Sequence, residues 1–371
     1  MKIGLDLRMT AGGSGISRYI EELSHAILSK DRGNQYVLFF RNAKQTEDYK
    51  KYNQKIVICD IAHYSFAEQF KFPSILRKEN LDLVHFPHFN VPIFYNRPFV
   101  VTIHDLTHTR FPGRKKSHIL HRMAYNMVLA AAIKKSRRII AVSESTKKEI
   151  LEYFGVEPDK ITVVYEGVNP KYHLLDKDLA VAEVNNRFKI AKPYILYVGV
   201  FRRYKNLPNL ARAFDMLRDE GVDAELVLAG DFDPYYPEIK QQILASKHAG
   251  EIKILGRVSD EDLIFLYNGC SLFVLPSLSE GFGLTAIEAA ATGVPIAASD
   301  IPTLREILGH AAEYFDPTNV ENMVDVILGV LHNESRGEEL ANLVLKRAAQ
   351  FTWSKAAEGS TEVYNSAIDG K

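Results

Sequence analysis

The sequence predicts an α/β protein built from two parallel-sheet domains, and three observations carry that expectation. Short apolar, β-branched runs alternate with amphipathic stretches of helical period along most of the chain. This is the pattern of buried parallel strands covered by helices on both faces. The alternation runs once in each half. A chain of 371 residues also exceeds what one hydrophobic core usually organises.

In the first half, "KIGLDL", "DLVHFP", "FVVTIHD" and "RRIIAVS" read as strands. In the second half, "YILYVGV", "AELVLAG", "IKILG", "SLFVLPS" and "VPIAAS" repeat the theme, with helical stretches at 206–219, 237–249, 259–268 and 285–292. Residues 165–192 lack strand pattern and hold Gly167 and Pro170, with Pro193 just beyond, so a linker is expected there. This divides the chain into an N-terminal domain, 1–168, and a C-terminal domain, 190–350. The closing stretch 351–371, "FTWSKAAEGSTEVYNSAI" and its tail, is expected to be a helix that packs back onto the first domain.

Composition narrows the function. With 46% hydrophobic and 25% charged residues the chain is that of a soluble globular protein, and no apolar run reaches the roughly 18 residues of a membrane span. Lys2 and Asp6 interrupt the N-terminal apolar stretch, so no signal peptide is expected and the location is read as cytoplasmic. Cys59 and Cys270 are too few for a disulfide scaffold or a zinc site. A net charge of zero argues against nucleic-acid binding. The zero conceals a split: residues 1–190 hold 30 bases against 20 acids, and the remainder 16 against 26. Residues 101–150 are the basic extreme, with Arg110, Arg114, Lys115, Lys116 and Arg122 around Phe111, Ile119, Leu120 and Met123. Such a stretch is either an ordinary solvated face or a surface for an anionic membrane.

Four motifs sit where open parallel sheets collect ligands, after strand carboxyl ends. Gly12-Gly13-Ser14-Gly15 follows the first strand and opens the helix "ISRYIEELSHAIL". It suits close backbone approach to an anion, or simply a tight turn. It does not fit the dinucleotide pattern, because position 18 is arginine. His104 and Asp105 end the strand of "VTIHD". Gly199, Arg202, Arg203 and Lys205 follow the strand of "YVGVFRRYKNL", with Asn206 as a helix N-cap; three cations there suit a diphosphate or are a basic loop exposed to water. In "LSEGFGLTAIEAAATGVP", the amides near Gly281, Phe282, Gly283 and Leu284 face an anion at a helix start. Glu280 and Glu288 then suit sugar hydroxyls on either side of it, so the ligand described is a sugar nucleotide. The competing reading is a capping box, Thr285-x-x-Glu288, in which Glu288 only satisfies its own helix.

That last stretch resembles the E-x7-E signature of retaining nucleotide-sugar glycosyltransferases of family four, which have the GT-B fold. The resemblance covers nearly the whole chain, through the 12–15 glycines, "TIHD", "IIAVSESTKKEI", "VVYEGV", "YVG…KNL", "LVLAG" and the closing "FTWSKAAEGSTEVY". It implies two Rossmann-like domains facing across a cleft, with donor bound mainly by the second and acceptor by the first. It further implies that Glu288 binds the donor ribose and Glu280 the transferred sugar. Lys205 and the amides of 282–284 would hold the diphosphate, approached by Gly13, Ser14 and Gly15, with His104 near the sugar. Many members carry arginine directly after the glycine of the "VG" strand, where this chain has Val200. A branch resembling capsule and O-antigen mannosyltransferases has it directly before the lysine, where this chain has Tyr204. Arg202 or Arg203 is left to supply that charge.

The expected reaction is therefore transfer of a hexose, with GDP-mannose favoured as donor, to a saccharide or lipid-linked acceptor. The resemblance suggests retention by front-side attack, without a metal cofactor. A sugar-nucleotide epimerase or hydrolase and a non-catalytic nucleotide-sugar-binding protein remain alternatives.

Overall fold

A computed structural model of the chain describes residues 1–13, 15–111 and 119–369. Ser14 and the basic residues Arg114, Lys115 and Lys116 lie outside the described residues, as do the side chains of Ile119 and Leu120.

The chain forms two compact units, divided at Gly167–Val168 and again at Phe351–Thr352, with the described residues 109–111 also grouped with the second unit. The first holds β1 (Lys2–Asp6), α1 (Gly15–Lys30), β2 (Gln35–Phe40), β3 (Lys55–Ile58), α2 (Phe66–Phe70), α3 (Phe72–Lys78), β4 (Leu83–Phe86) and β5 (Phe99–Ile103). After a helical turn, α4 (Thr107–Arg110), come α5 (Ile119–Lys135), β6 (Arg138–Ala141), α6 (Glu144–Phe154) and β7 (Ile161–Val163). Its seven strands are all parallel, in the order β3-β2-β1-β4-β5-β6-β7. The buried runs of β4 and β5 make both faces apolar; on one lie Phe39, Phe72, Leu76, Phe86, Leu129 and Ile133. The sheet is wider than the strand signals of the first half suggest, because β2, β3 and β7 add to the expected four.

The second unit holds α7 (Lys177–Phe188), β8 (Tyr194–Val198), α8 (Leu207–Asp219), β9 (Glu225–Ala229), α9 (Pro237–Leu244), β10 (Ile252–Gly256), α10 (Asp260–Gly269) and β11 (Leu272–Leu275). It continues through α11 (Leu284–Ala291), β12 (Ile296–Ser299), α12 (Pro302–Leu308), β13 (Glu313–Phe315), α13 (Val320–Leu331) and α14 (Glu334–Ala348). Six parallel strands run β10-β9-β8-β11-β12-β13, with one apolar cluster on each face. The helix expected over 237–249 stops at Leu244, and Ala249–Glu251 forms a separate 3-10 turn.

The expected linker over 165–192 is corrected by the structure. Asp176 caps α7 through the Leu179 amide, and Ala180 and Val184 are fully buried as α7 packs on α10. Arg187 ties the two together through Asp262 and Glu261. The second unit accordingly begins at Val168 rather than 190. Two small apolar residues four apart make a narrow stripe, which is why the stretch reads as structureless in isolation.

The closing helix α15 (Trp353–Asp369) belongs to the first unit and packs on α1. The Tyr364 hydroxyl meets His85 Nδ1 at 2.7 Å, and Lys30 pairs with Glu358 at 2.7 Å. The return is tight: a β-carbon on Gly167 would stand 2.1 Å from the Trp353 amide nitrogen, so no larger residue fits there. Among the described residues, no helix is long and apolar enough to cross a membrane.

Candidate active site

Each sheet reverses its strand order once, between β1 and β4 in the first unit and between β8 and β11 in the second. Side chains after the carboxyl ends of the strands flanking such a point converge on one crevice. In the second unit those loops carry Lys205 and Glu280. The Lys205 ammonium meets Glu280 Oε1 at 2.7 Å, although the two are 75 positions apart. Ser277 Oγ donates to the same oxygen at 2.6 Å, Thr303 Oγ1 donates to the Glu280 carbonyl at 2.9 Å, and the Leu278 amide donates to the Tyr204 carbonyl at 2.7 Å. The two loops are thus stitched together at backbone and side chain. The pair is mostly buried, with side-chain exposures of 18% and 10%. Burial works against the Lys205 ammonium, but the adjacent Glu280 carboxylate outweighs it and raises the pKa, so Lys205 stays charged.

The two arginines separate. Arg202 Nε donates to Asp233 Oδ2 at 2.9 Å, just past the end of β9, and keeps 36% of its side chain exposed. Arg203 reaches outward instead, bonding Glu238 at the start of α9 at 3.0 Å and lying over the Tyr236 ring, with 59% exposure. Asn206 occupies the N-cap position expected of it but does not cap with its side chain, which donates to the Pro317 carbonyl at 2.7 Å. Gly199 takes φ +152°, and a β-carbon there would stand 2.7 Å from the Tyr197 hydroxyl.

Glu288 decides against the capping box. Helix α11 begins at Leu284, with Gly283 as its N-cap at φ +91°, a conformation that favours glycine. Thr285 is therefore already inside the helix, and Glu288 is its fifth residue, past the first-turn amides it was to satisfy. The residue is 1% exposed, and its carboxylate accepts from the Tyr267 hydroxyl at 3.4 Å. The Phe282 ring is buried edge-on against Phe351, at 5.6 Å, so at that position only the backbone is left to meet a ligand. The first amides of α11, with the positive end of the helix dipole behind them, follow β11, the placement in which helix starts commonly receive anions.

Three further sequence candidates are in the first unit. Gly13 has φ +62° and Gly15 opens α1. His104 is held by two acceptors: Nδ1 lies 3.3 Å from Glu166 Oε1 and Nε2 lies 2.9 Å from the Pro87 carbonyl. Burial disfavours its charged form, yet the Glu166 carboxylate and the carbonyl prevail and raise its pKa. The Tyr19 ring packs edge-on at 4.5 Å. Asp105 turns away to cap the Thr107 amide at 2.8 Å. Glu166, 5% exposed, is the partner that sequence reasoning passed over; its only signal was an acid inside the apolar "VVYEGV". Among the described residues no three His, Cys, Asp or Glu side chains gather as a metal centre requires.

The family model described as Glycosyltransferase Family 4 matches residues 13–172, and that of Glycosyl transferases group 1 matches 183–349. The chain is a family-four glycosyltransferase. Among curated relatives, O-antigen chain mannosyltransferase B of Escherichia coli is 29% identical over 76% of this chain and 74% of its own length. O-antigen chain mannosyltransferase RfbU of Salmonella typhimurium is 24% identical over 72% of this chain and 70% of its own. The serotype-specific mannosyltransferase WbdA of Escherichia coli is also 29% identical over 64% of this chain, which spans only 30% of WbdA. Solved structures share the architecture at low identity. Sucrose-phosphate synthase of Thermosynechococcus elongatus superposes with a TM-score of 0.79 at 19% identity, covering all of both chains. HepE of Anabaena, in complex with UDP and glucose, does so at 0.79 and 17%, covering 99% of this chain and all of that one. The fold is GT-B.

Proposed function

We propose that the protein transfers a hexose from a nucleoside-diphosphate sugar to a hydroxyl of a saccharide or lipid-linked acceptor, with retention at the anomeric carbon. The observation that carries this reading is the Lys205–Glu280 pair at the strand-order reversal of the second sheet. A cation and a carboxylate that neutralise each other are each matched to a different part of one ligand. A donor diphosphate would take the ammonium, and the released carboxylate would accept from hydroxyls of the sugar. The buried Glu288 carboxylate is then the acceptor for the ribose.

In this reading the bond from the anomeric carbon to the β-phosphate oxygen breaks, and its electron pair leaves with the diphosphate. The acceptor oxygen attacks from the same face and its proton passes to a phosphate oxygen. Lys205 and the amides of α11 stabilise the charge gathered by the leaving group more than they stabilise the bound donor, and that difference accelerates the step. The same cations make a metal cofactor unnecessary. Arg202, rather than Arg203, supplies the guanidinium that stands in for the residue missing at Val200. It lies beside the strand ends, anchored by one bond to Asp233, whereas Arg203 is engaged with α9. The names of the curated relatives favour mannose as the transferred sugar, and GDP-mannose as donor follows the same branch. His104, held by Glu166 and the Pro87 carbonyl, would meet a hydroxyl of the sugar by exchanging one of those partners for it.

The test is nucleoside diphosphate release from GDP-mannose, UDP-glucose and UDP-N-acetylglucosamine, with and without a lipid-linked saccharide, and the anomeric configuration of the product by NMR. Acceptor-dependent release with an α-linked product is expected. Equal release without acceptor would indicate a hydrolase, conversion of one nucleotide sugar to another without release an epimerase, and binding without turnover a sensor. In the same assay Arg202→Ala should lower turnover by about a hundredfold and Arg203→Ala by less than about threefold.

A further inference from the structure

Helix α2, Phe66–Phe70, is inside out. Its Phe66 is 86% exposed and its Phe70 60%, while Glu68 between them is fully buried. Turning the helix over would bury two aromatic rings and hydrate a carboxylate, which is the favourable direction for an isolated segment. The tertiary structure holds it the other way. Glu68 accepts from Arg8 Nη2 at 2.8 Å, Asn90 Nδ2 at 2.6 Å and the Tyr64 amide at 2.8 Å. Arg8 is itself bidentate to Asp6, at 2.8 and 2.7 Å, and stacks on the Phe72 ring at 3.7 Å. A buried ion pair of this kind adds little net stability over an apolar core, but it specifies one orientation. Here the orientation it specifies is the one that displays phenylalanines.

The display extends to the next segment. Gln69 clamps it to α2, accepting from the Ile93 amide at 2.7 Å and donating to the Val91 carbonyl. Phe94, 49% exposed, stacks on Phe70 with ring centres 5.0 Å apart and planes 28° from parallel. Cations lie on the same and neighbouring segments. Lys71 follows Phe70 directly, the Lys135 ammonium meets the Ile93 carbonyl at 2.7 Å, and Arg77 and Arg97 both act electrostatically on the intervening Tyr95; all four are exposed. Helix α5 packs its Tyr125 ring on Phe89 at 5.1 Å and leaves Met123 and Met127 each 57% exposed. Scattered exposed apolar residues are ordinary on a soluble protein, but a stacked aromatic pair with exposed bases on its flanking segments, pinned by a buried carboxylate, is not.

We propose that this face of the first unit, Phe66, Phe70 and Phe94 with Lys71, Arg77, Arg97 and Lys135, docks on an anionic lipid surface. The rings enter the headgroup region while the bases meet lipid phosphates, the combination that gives reversible interfacial binding. The face is distinct from the basic stretch around Arg114–Lys116 on which the sequence alone placed such a surface. It deepens the transferase reading, because a lipid-linked acceptor would be met there. Vesicle binding is measured without donor or turnover, so either reading can fail without the other.

The experiment is co-sedimentation of the full chain with phosphatidylglycerol-containing vesicles and with pure phosphatidylcholine vesicles, at low and physiological salt. The wild type should bind the anionic vesicles, and more weakly as salt rises. Phe66→Ser with Phe70→Ser should weaken that binding by at least about tenfold. Lys71→Glu with Arg97→Glu should do so by a similar factor. Both variants should keep the wild-type melting temperature to within about 2 °C, because the altered side chains are exposed. Wild-type protein that ignores anionic vesicles at low salt, or a phenylalanine variant that binds as wild type does, overturns the proposal. So does a wild-type dimer in sedimentation equilibrium that the phenylalanine variant dissolves, which would assign the face to a second copy of the chain.

Discussion

Replacing Lys205 by alanine separates the buried pairing seen in the structure from the leaving-group role proposed for the residue. At 2.7 Å, in surroundings of effective dielectric about 20, the attraction to Glu280 is of order 6 kcal/mol, most of it offset by the desolvation of both groups. The loss on removing one partner is larger than the net worth of the pair, because Glu280, 10% exposed, is left as a buried carboxyl group whose remaining side-chain partner among the described residues is the Ser277 hydroxyl. A cost of about 3 kcal/mol follows. For a domain of this size that corresponds to a fall of roughly 6–12 °C in the melting of the second unit. A cation on an exposed loop, which is what the sequence suggests for Lys205, would move it hardly at all. The assay is differential scanning calorimetry of Lys205→Ala, Glu280→Gln and the double variant, beside nucleoside diphosphate release well below the transition. The double variant removes both charges and should recover about 1–2 kcal/mol over Lys205→Ala. Turnover should not recover, because the leaving-group contact is still missing and is worth about a hundredfold in rate. A melting temperature of Lys205→Ala within 1 °C of wild type would refute the buried-pair argument, and turnover within about threefold would refute the phosphate role.

Glu288→Gln should weaken nucleoside diphosphate binding by about tenfold or more, the scale of one hydrogen bond to a charged acceptor, in a protein that remains folded; unchanged affinity by calorimetric titration removes the ribose assignment. His85 offers a pH test. Burial, aided by His104, depresses its pKa to about 3 from the ordinary 6.5, so folding keeps it neutral between Thr102 Oγ1 and Tyr364. A group depressed in the folded state contributes no loss above pH 6.5; below it the unfolded chain takes a proton that the native one refuses. Stability should therefore fall by about 1.4 kcal/mol per pH unit from 6.5 downward on this account. His85→Gln, whatever its stability at pH 7, should lose about 2 kcal/mol less than wild type between pH 6.5 and 5 in urea titrations, and parallel losses would show that His85 does not titrate as argued. His104 runs the other way: raised by Glu166, its contribution is whole below pH 6.5 and disappears as pH climbs through its folded value.

Strands with no ambiguity of environment were readable one by one. "YILYV", "LFVL" and "FVVTI" are apolar on both faces because both faces are covered, and each is fully buried. "QYVLFF" carries an equally apolar run, yet it was not among the strands read, and β3, β7 and β13 at three or four residues are too short to declare a period. The positions of Glu280 and Glu288, before and inside a helix that opens at a glycine turn, were legible because that turn lies between a buried strand and a small-residue helix. Glu166 was not, since an acid in "VVYEGV" becomes a partner for His104 only when β5 and the chain after β7 are brought side by side.

By itself the sequence determined local matters: the doubled strand and helix alternation, the loops after the strand ends at which the candidate site residues gather, and the glycines at 199 and 283. These depend on side-chain period and on backbone freedom, which are properties of short segments. Pairing was decided only in three dimensions. Whether Lys205 stands in water or against Glu280, whether Arg202 or Arg203 stays beside the strand ends, and whether Glu288 caps its helix all depend on residues up to 75 positions away. The same holds for α2, where helical period would turn Phe66 and Phe70 inward and the distant Arg8 and Asn90 turn them out by claiming Glu68. A buried charge must find its partner wherever the fold presents one, and that requirement overrides the preference of a five-residue helix.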